Sequence, residues 1–246
     1  MLLNCDLGER ETETAPEEAT PEALAMPYIH LANIACGFHA GGPKSMRRTL
    51  ALAARHHVAV GAHPSYPDRA HFGRRSLSLP RQEIIDIIHY QVAALEGMAR
   101  QLQRPLNHIK PHGALYNDMM TDAQVRDAVL SAVASYSPAL PLVMQATPHQ
   151  DDHRDEAAAL GVTVLFEAFA DRRYTDAGHL VSRSEPGAVL DHTAMMAQVE
   201  LLLRDGVIQS ENGDRLALAV DTLCVHGDNA AGVQAIAAIR DTVDRL

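Results

Sequence analysis

The chain has 246 residues, 47% of them hydrophobic and 21% charged, with a formal net charge of −10. This composition supplies a sizeable core and excludes a disordered chain. The acidic balance argues against non-specific nucleic-acid binding, which needs a basic surface, and no apolar run approaches the ~20 residues of a membrane helix.

The first apolar run, Met1–Leu3, leaves no room for a signal peptide. Cys5, Cys36 and Cys224 are odd in number and lack paired metal spacing. Together these features predict small, reduced core thiols and a cytoplasmic protein. Tryptophan is absent and aromatics make up 4%, so the core is expected to be aliphatic and alanine-rich.

In chain order, Met1–Asp6 reads as a strand. The acidic, proline-punctuated Glu9–Glu22 reads as a solvated loop or weak helix. Strands at His30–Cys36 and Val58–Ala62 flank a helix over Pro43–His56, whose Pro43 suits the first turn. Ile84, Ile88, Val92, Leu95, Ala99 and Leu102 recur every three or four residues and predict a helix before a strand at Asn107–Lys110. Strands at Pro141–Gln145 and Val162–Ala168 follow, then a helix marked by Met196, Val199 and Leu203. A last strand spans Leu216–Val225 with an interruption near Asp221, and Ile236, Ile239, Val243 and Leu246 mark a final helix.

Strands alternating with helices imply a parallel sheet covered by helices. A dinucleotide fold should follow its first strand with a glycine-rich G-x-G-x-x-G turn. Asp6-Leu7-Gly8-Glu9 stands there instead, and no Walker-type phosphate loop occurs. The expected fold is therefore a parallel α/β barrel, one domain over residues 1–246.

In such a barrel the site lies at the C-terminal ends of the strands. Those ends carry Asn4, Asp6 and Glu9, then Asn33 and His39, then His63, Asp68, Arg74 and Arg75. Lys110, His112 and Tyr116 follow the fourth strand and Gln145 the fifth. Glu167, Asp171, Arg172 and Arg173 follow the sixth, and Asp221, His226 and Asp228 belong to the seventh. Each group has a plainer reading taken singly: Asp6 as a helix cap, His39 and His63 as loop histidines, the arginine pairs as surface charge. Repetition at every strand end favours a site.

A carboxylate and imidazoles on adjacent strands can hold a divalent metal that activates water, or act as general acid and base without one. Arginine pairs suit a carboxylate or phosphate, and Lys110 suits stabilisation of developing negative charge. No G-x-S-x-G elbow is present, so hydrolysis by activated water is the expected class.

The stretches "LNCDLGE" (3–9), "ANIACGFHAGGP" (32–43), "GAHPSYPD" (61–68), "FGRR" (72–75), "HIKPHGALYND" (108–118), "EAFADRRYTDAGHLVSRSEPGAVL" (167–190) and "DTLCVHGDN" (221–229) resemble the LamB/YcsF family, the A subunits of 5-oxoprolinase. The resemblance implies a (β/α)7-type barrel related to carbohydrate deacetylases. It implies ATP-dependent opening of the 5-oxoproline lactam to L-glutamate, with two partner subunits, B and C. It carries over Asp6, His39, His63, Lys110, His112 and His226.

The expected catalytic set is Asp6, His63, Lys110, His112 and His226, with Asn33, His39, Arg74, Arg75 and Arg173 binding substrate. The chain departs from the family pattern in the acidic Arg10–Glu22 stretch, at Gly42 where the family carries Asp, and at Ser65 where glycine is usual. Two other readings stay open. One is a stand-alone metal-dependent deacetylase or amidohydrolase with Asp6, His39 and His63 as ligands. The other is a non-catalytic subunit that only binds substrate.

Overall fold

Alternate residues of each strand face opposite sides of a sheet, and here the two sets carry different chemistry. The computed structural model describes residues 1–10, 19–137 and 139–245. Among them, β1 (Leu2–Leu7), β2 (Leu31–Ala35), β3 (Ala59–His63), β4 (Leu106–Ile109), β5 (Leu142–Gln145), β6 (Val164–Phe169) and β9 (Thr222–His226) form a closed barrel in that order. All seven pairings are parallel, and β9 closes the ring between β6 and β1. In β1 the buried Leu3, Cys5 and Leu7 belong to the hydrophobic core. Asn4 and Asp6 instead hydrogen-bond to residues of other strands across the barrel interior.

The interior set is polar at one level after another. Asp6 pairs in register with Asn33, Asn33 with Gly61, and Gly61 with His108. Asn33 donates to Asn4 Oδ1 at 2.8 Å and Asp6 Oδ1 at 2.7 Å, and its own Oδ1 lies 2.6 Å from His108 Nε2. Gly61 is required here, since a Cβ would lie 2.2 Å from that imidazole nitrogen.

The covering helices are α1 (Pro21–Ala25), α2 (Pro43–Arg55), α3 (Arg81–Gln101), α4 (Gly113–Thr121), α5 (Ala123–Tyr136), α6 (Gln150–Ala159), α7 (His192–Asp205) and α8 (Ala230–Arg245). Ile84, Ile88, Val92, Leu95 and Ala99 form the buried stripe of α3; Leu102 lies beyond its last turn and is exposed. In α7 the buried positions are Met195, Val199 and Leu202, with Met196 and Leu203 on the flanks. In α8, Ile236 and Ile239 are buried, while Leu246 falls outside the described residues. No described helix is long and apolar enough to cross a membrane.

Two expectations need correction. Leu216–Val225 is two elements, not one interrupted strand. Arg215–Ala217 (β8) pairs antiparallel with Val207–Gln209 (β7) in a separate two-stranded sheet, and only Thr222–His226 enters the barrel. Asp221 divides them by anchoring the barrel strand: its N–H donates to Phe166 O, and its carboxylate accepts from Phe166 N. The Glu9–Glu22 stretch is solvated at Arg10 and Ala19 and enters a short helix at Pro21, but it is not solvated at Glu9. The Glu9 side chain is 7% exposed. Thr20 caps α1, whose Ala25 is buried, and Glu22 accepts from Gly8 N at 3.1 Å. Residues 11–18 fall outside the described residues.

Candidate active site

At the mouth of the barrel, β4 delivers Lys110 and then turns. Lys110 N–H still donates to Ala62 O at 2.9 Å, because a residue before proline favours extended geometry. Pro111 and His112 lead into α4 through Gly113. Its φ is +60°, and a Cβ there would meet Gly73 O at 2.4 Å, so only glycine fits.

Lys110 is buried, and its ammonium donors are taken. Nζ lies 2.9 Å from Asp6 Oδ1, 3.0 Å from Glu167 Oε2 and 3.1 Å from Cys224 Sγ. An ammonium has three N–H groups, so the geometry makes Lys110 a partner for two buried carboxylates rather than an open donor. Burial works against the Lys110 charge, but Asp6, Cys224 and Glu167 outweigh it and hold the pKa well above the usual lysine range. Burial likewise works against the Asp6 charge. Lys110 and His63 outweigh that effect and hold the carboxyl well below the usual range.

Beside this pair, the ends of the first four strands bring Glu9, His39, His63 and His112 together. Their ligand atoms all lie within 4.8 Å of one another. The His39 and His112 rings stack at 3.7 Å. Burial lowers the pKa of both well below the usual imidazole value. Burial and the Asp6 charge push Glu9 up to about 7.

Across the mouth, His226 stacks on Phe169 at 5.3 Å. Its Nδ1 lies 2.9 Å from Asp171 Oδ1, and Asn229 donates to the other Asp171 oxygen at 2.8 Å. Burial would raise Asp171, but His226 and Asn229 bring it down to about 2. The carboxylate fixes the Nδ1–H tautomer of His226 and leaves Nε2 to the cavity.

A cavity of about 540 Å³ opens over these groups. Of the predicted residues, Asp6, His63, Arg74, Lys110, His112 and His226 line it. His39 stands behind His112, and Asn33 lies deeper in the barrel with no exposed surface. Arg75 turns outward, 60% exposed, toward Asp68. Arg173 is also exposed. Its neighbour Arg172 forms the cavity wall instead, buried and donating to Val181 O and Ala188 O. Arg183 joins the rim and shares Asp228 with Arg74.

Sequence reasoning placed Cys224 in the core without its contact to Lys110, and did not single out His108. It put Asp171 among the strand-end residues without its partnership with His226. Glu9 was among them too, but not as a neighbour of the histidines.

The family model described as the LamB/YcsF family matches residues 1–246. The chain belongs to the LamB/YcsF family. It is 50% identical to the 5-oxoprolinase A subunit of Chromohalobacter salexigens, covering 100% of this chain and 97% of that one. It is 47% identical to one of the numbered 5-oxoprolinase A subunits of Pseudomonas putida, covering 100% and 95%. The crystal structure of the lactam utilization protein from Thermus thermophilus superposes with a TM-score of 0.86 at 34% identity, covering 99% of this chain and 96% of that one. The LamB/YcsF barrel expected from the motifs is thus the fold observed.

Proposed function

We propose that this LamB/YcsF chain is the lactam-opening subunit of an ATP-dependent 5-oxoprolinase. The names of its relatives supply the substrate class. The observation that carries the catalytic reading is the Asp171–His226 dyad, which opens into a cavity floored by Asp6 and Lys110 and walled by arginines.

In this reading the substrate carboxylate lies toward Arg172, Arg74 and Arg183. His226 Nε2 takes a proton from water as its oxygen joins the lactam carbonyl carbon. The ring C–N bond then breaks, and the same imidazole returns the proton to the departing nitrogen, which becomes the amine of glutamate. Asp171 orients the ring and stabilises its cationic form. Asp6 stays ionised beside the reacting centre, held by Lys110.

A five-membered lactam is a stable amide, and phosphorylation of its oxygen by ATP makes the carbon a better electrophile; ring opening then leaves an acyl phosphate on the side-chain carbon, which a second water hydrolyses to glutamate and inorganic phosphate. In this proposal ATP is handled by partner subunits, B and C. The relatives are named as one lettered component of 5-oxoprolinase, which supports partners of this kind.

The test is a glutamate-release assay with 5-oxoproline and ATP, run with the two partner subunits, with and without this chain. Glutamate is expected only from the full set. Release at the same rate when this chain is omitted would contradict the proposal.

A further inference from the structure

The four groups at the ends of the first four strands have unmet bonding capacity. His63 Nδ1 lies 2.7 Å from the carbonyl oxygen of Lys110, and His112 Nε2 lies 2.9 Å from that of Phe72. A carbonyl only accepts, so each of these nitrogens carries the ring proton. The nitrogens left over, His63 Nε2 and His112 Nδ1, face each other at 3.0 Å. In neutral rings both present lone pairs, and that arrangement is repulsive unless something positive lies between them. A single proton would satisfy those two rings alone. It would leave Glu9 Oε1 and both nitrogens of His39, which are buried and have no hydrogen-bond partner among the described residues.

Spacing and second contacts fit a cation once the His39 ring turns off His112, since the in-plane lone pairs of two rings stacked at 3.7 Å cannot meet one ion. Glu9 Oε1 is 3.3 Å from His39 Nε2 and 3.6 Å from His112 Nδ1. A tetrahedral zinc site with bonds of ~2.0–2.1 Å has ligand-to-ligand edges of ~3.3–3.4 Å. The backbone carbonyls on His63 and His112 are the outer partners that fix the tautomer and aim of a ligating imidazole. Asp6 Oδ2, 3.4 Å from His63 Nε2, adds negative charge beside the cluster. Asp6 stands outside the group of four whose ligand atoms lie within 4.8 Å of one another, and its Oδ1 is held by Asn33 and Lys110.

We propose that Glu9, His39, His63 and His112 bind one first-row transition-metal ion of the zinc class. Three imidazoles and one carboxylate suit zinc or cobalt and not magnesium or calcium, which take oxygen ligands. The proposal goes beyond the lactam reading and does not rest on it. Metal binding is measured on the chain alone, without substrate or partners, so either can fail without the other.

The experiment uses full-length chain stripped with chelator, incubated with zinc chloride, cobalt chloride or magnesium chloride and gel-filtered. The expected result is one zinc or cobalt per chain by elemental analysis, with the intense visible absorption of tetrahedral cobalt, and no retained magnesium. Glu9→Gln and His39→Ala should each weaken zinc binding by at least ~100-fold, since even outer-partner changes cost ~10–100-fold. Circular dichroism identifies any variant that fails to fold. Glu9→Gln, which keeps the size of the side chain, keeps the test decisive if His39→Ala does not fold. Folded wild-type chain that retains no zinc, or a folded Glu9→Gln chain with undiminished affinity, would overturn the proposal.

Discussion

Lys110 and Asp171 act as the charge anchors of this mouth. Removing the Lys110 ammonium would leave Asp6 and Glu167 buried without a cation. Breaking one partner out of a buried ion pair typically costs about 3–5 kcal/mol. Lys110→Met should lose that much in urea unfolding, whereas Arg74→Met, at a half-open rim position, should change little. A Lys110→Met chain as stable as wild type would contradict the ion-pair account. At Asp171 the sign runs the other way from a histidine. Its folded pKa of about 2 lies below the unfolded value of ~3.9, so its contribution of about 2 kcal/mol is complete above ~pH 5 and is lost as pH falls toward 2. The stability gap between wild type and Asp171→Asn should therefore be about 1 kcal/mol narrower at ~pH 3 than at ~pH 6. A gap independent of pH would show that the carboxylate carries no such shift.

At the scale of elements, the barrel tolerates its polar interior because one strand gives up a side chain for another's imidazole. Gly61→Ala would press a methyl group into His108. Overpacking of this kind costs typically 1–3 kcal/mol, so the thermal midpoint should fall while the barrel still forms; an unchanged midpoint would contradict the close contact. The barrel strands were legible because buried parallel strands read as apolar runs. β7 and β8 were not, since three-residue strands carry too little pattern to stand apart from their neighbours. The arginine pair after β6 was legible as a pair, but which member faces inward depends on the bridge of Arg172 to Val189, which sets the alternation. Cys224 read as core because free cysteine usually is; its contact with Lys110 depends on β9 closing against β1. Glu9 was legible as a strand-end residue, but its place beside His39, His63 and His112 depends on the barrel bringing the ends of β1 to β4 together.

For the molecule as a whole, the ring of seven strands places the His226–Asp171 pair, a buried ion pair and an imidazole cluster at one end of the barrel in a chain of net charge −10. The central claim is that His226, held by Asp171, moves the proton in lactam opening. The most direct measurement is the rate of glutamate release from 5-oxoproline and ATP by the complex reconstituted with its partner subunits, comparing wild type with His226→Asn. The account predicts a fall of about 10²–10⁴-fold in a chain that still folds, with a lowered thermal midpoint because the buried Asp171 loses its main partner. A folded His226→Asn chain that supports glutamate release at the wild-type rate would contradict it.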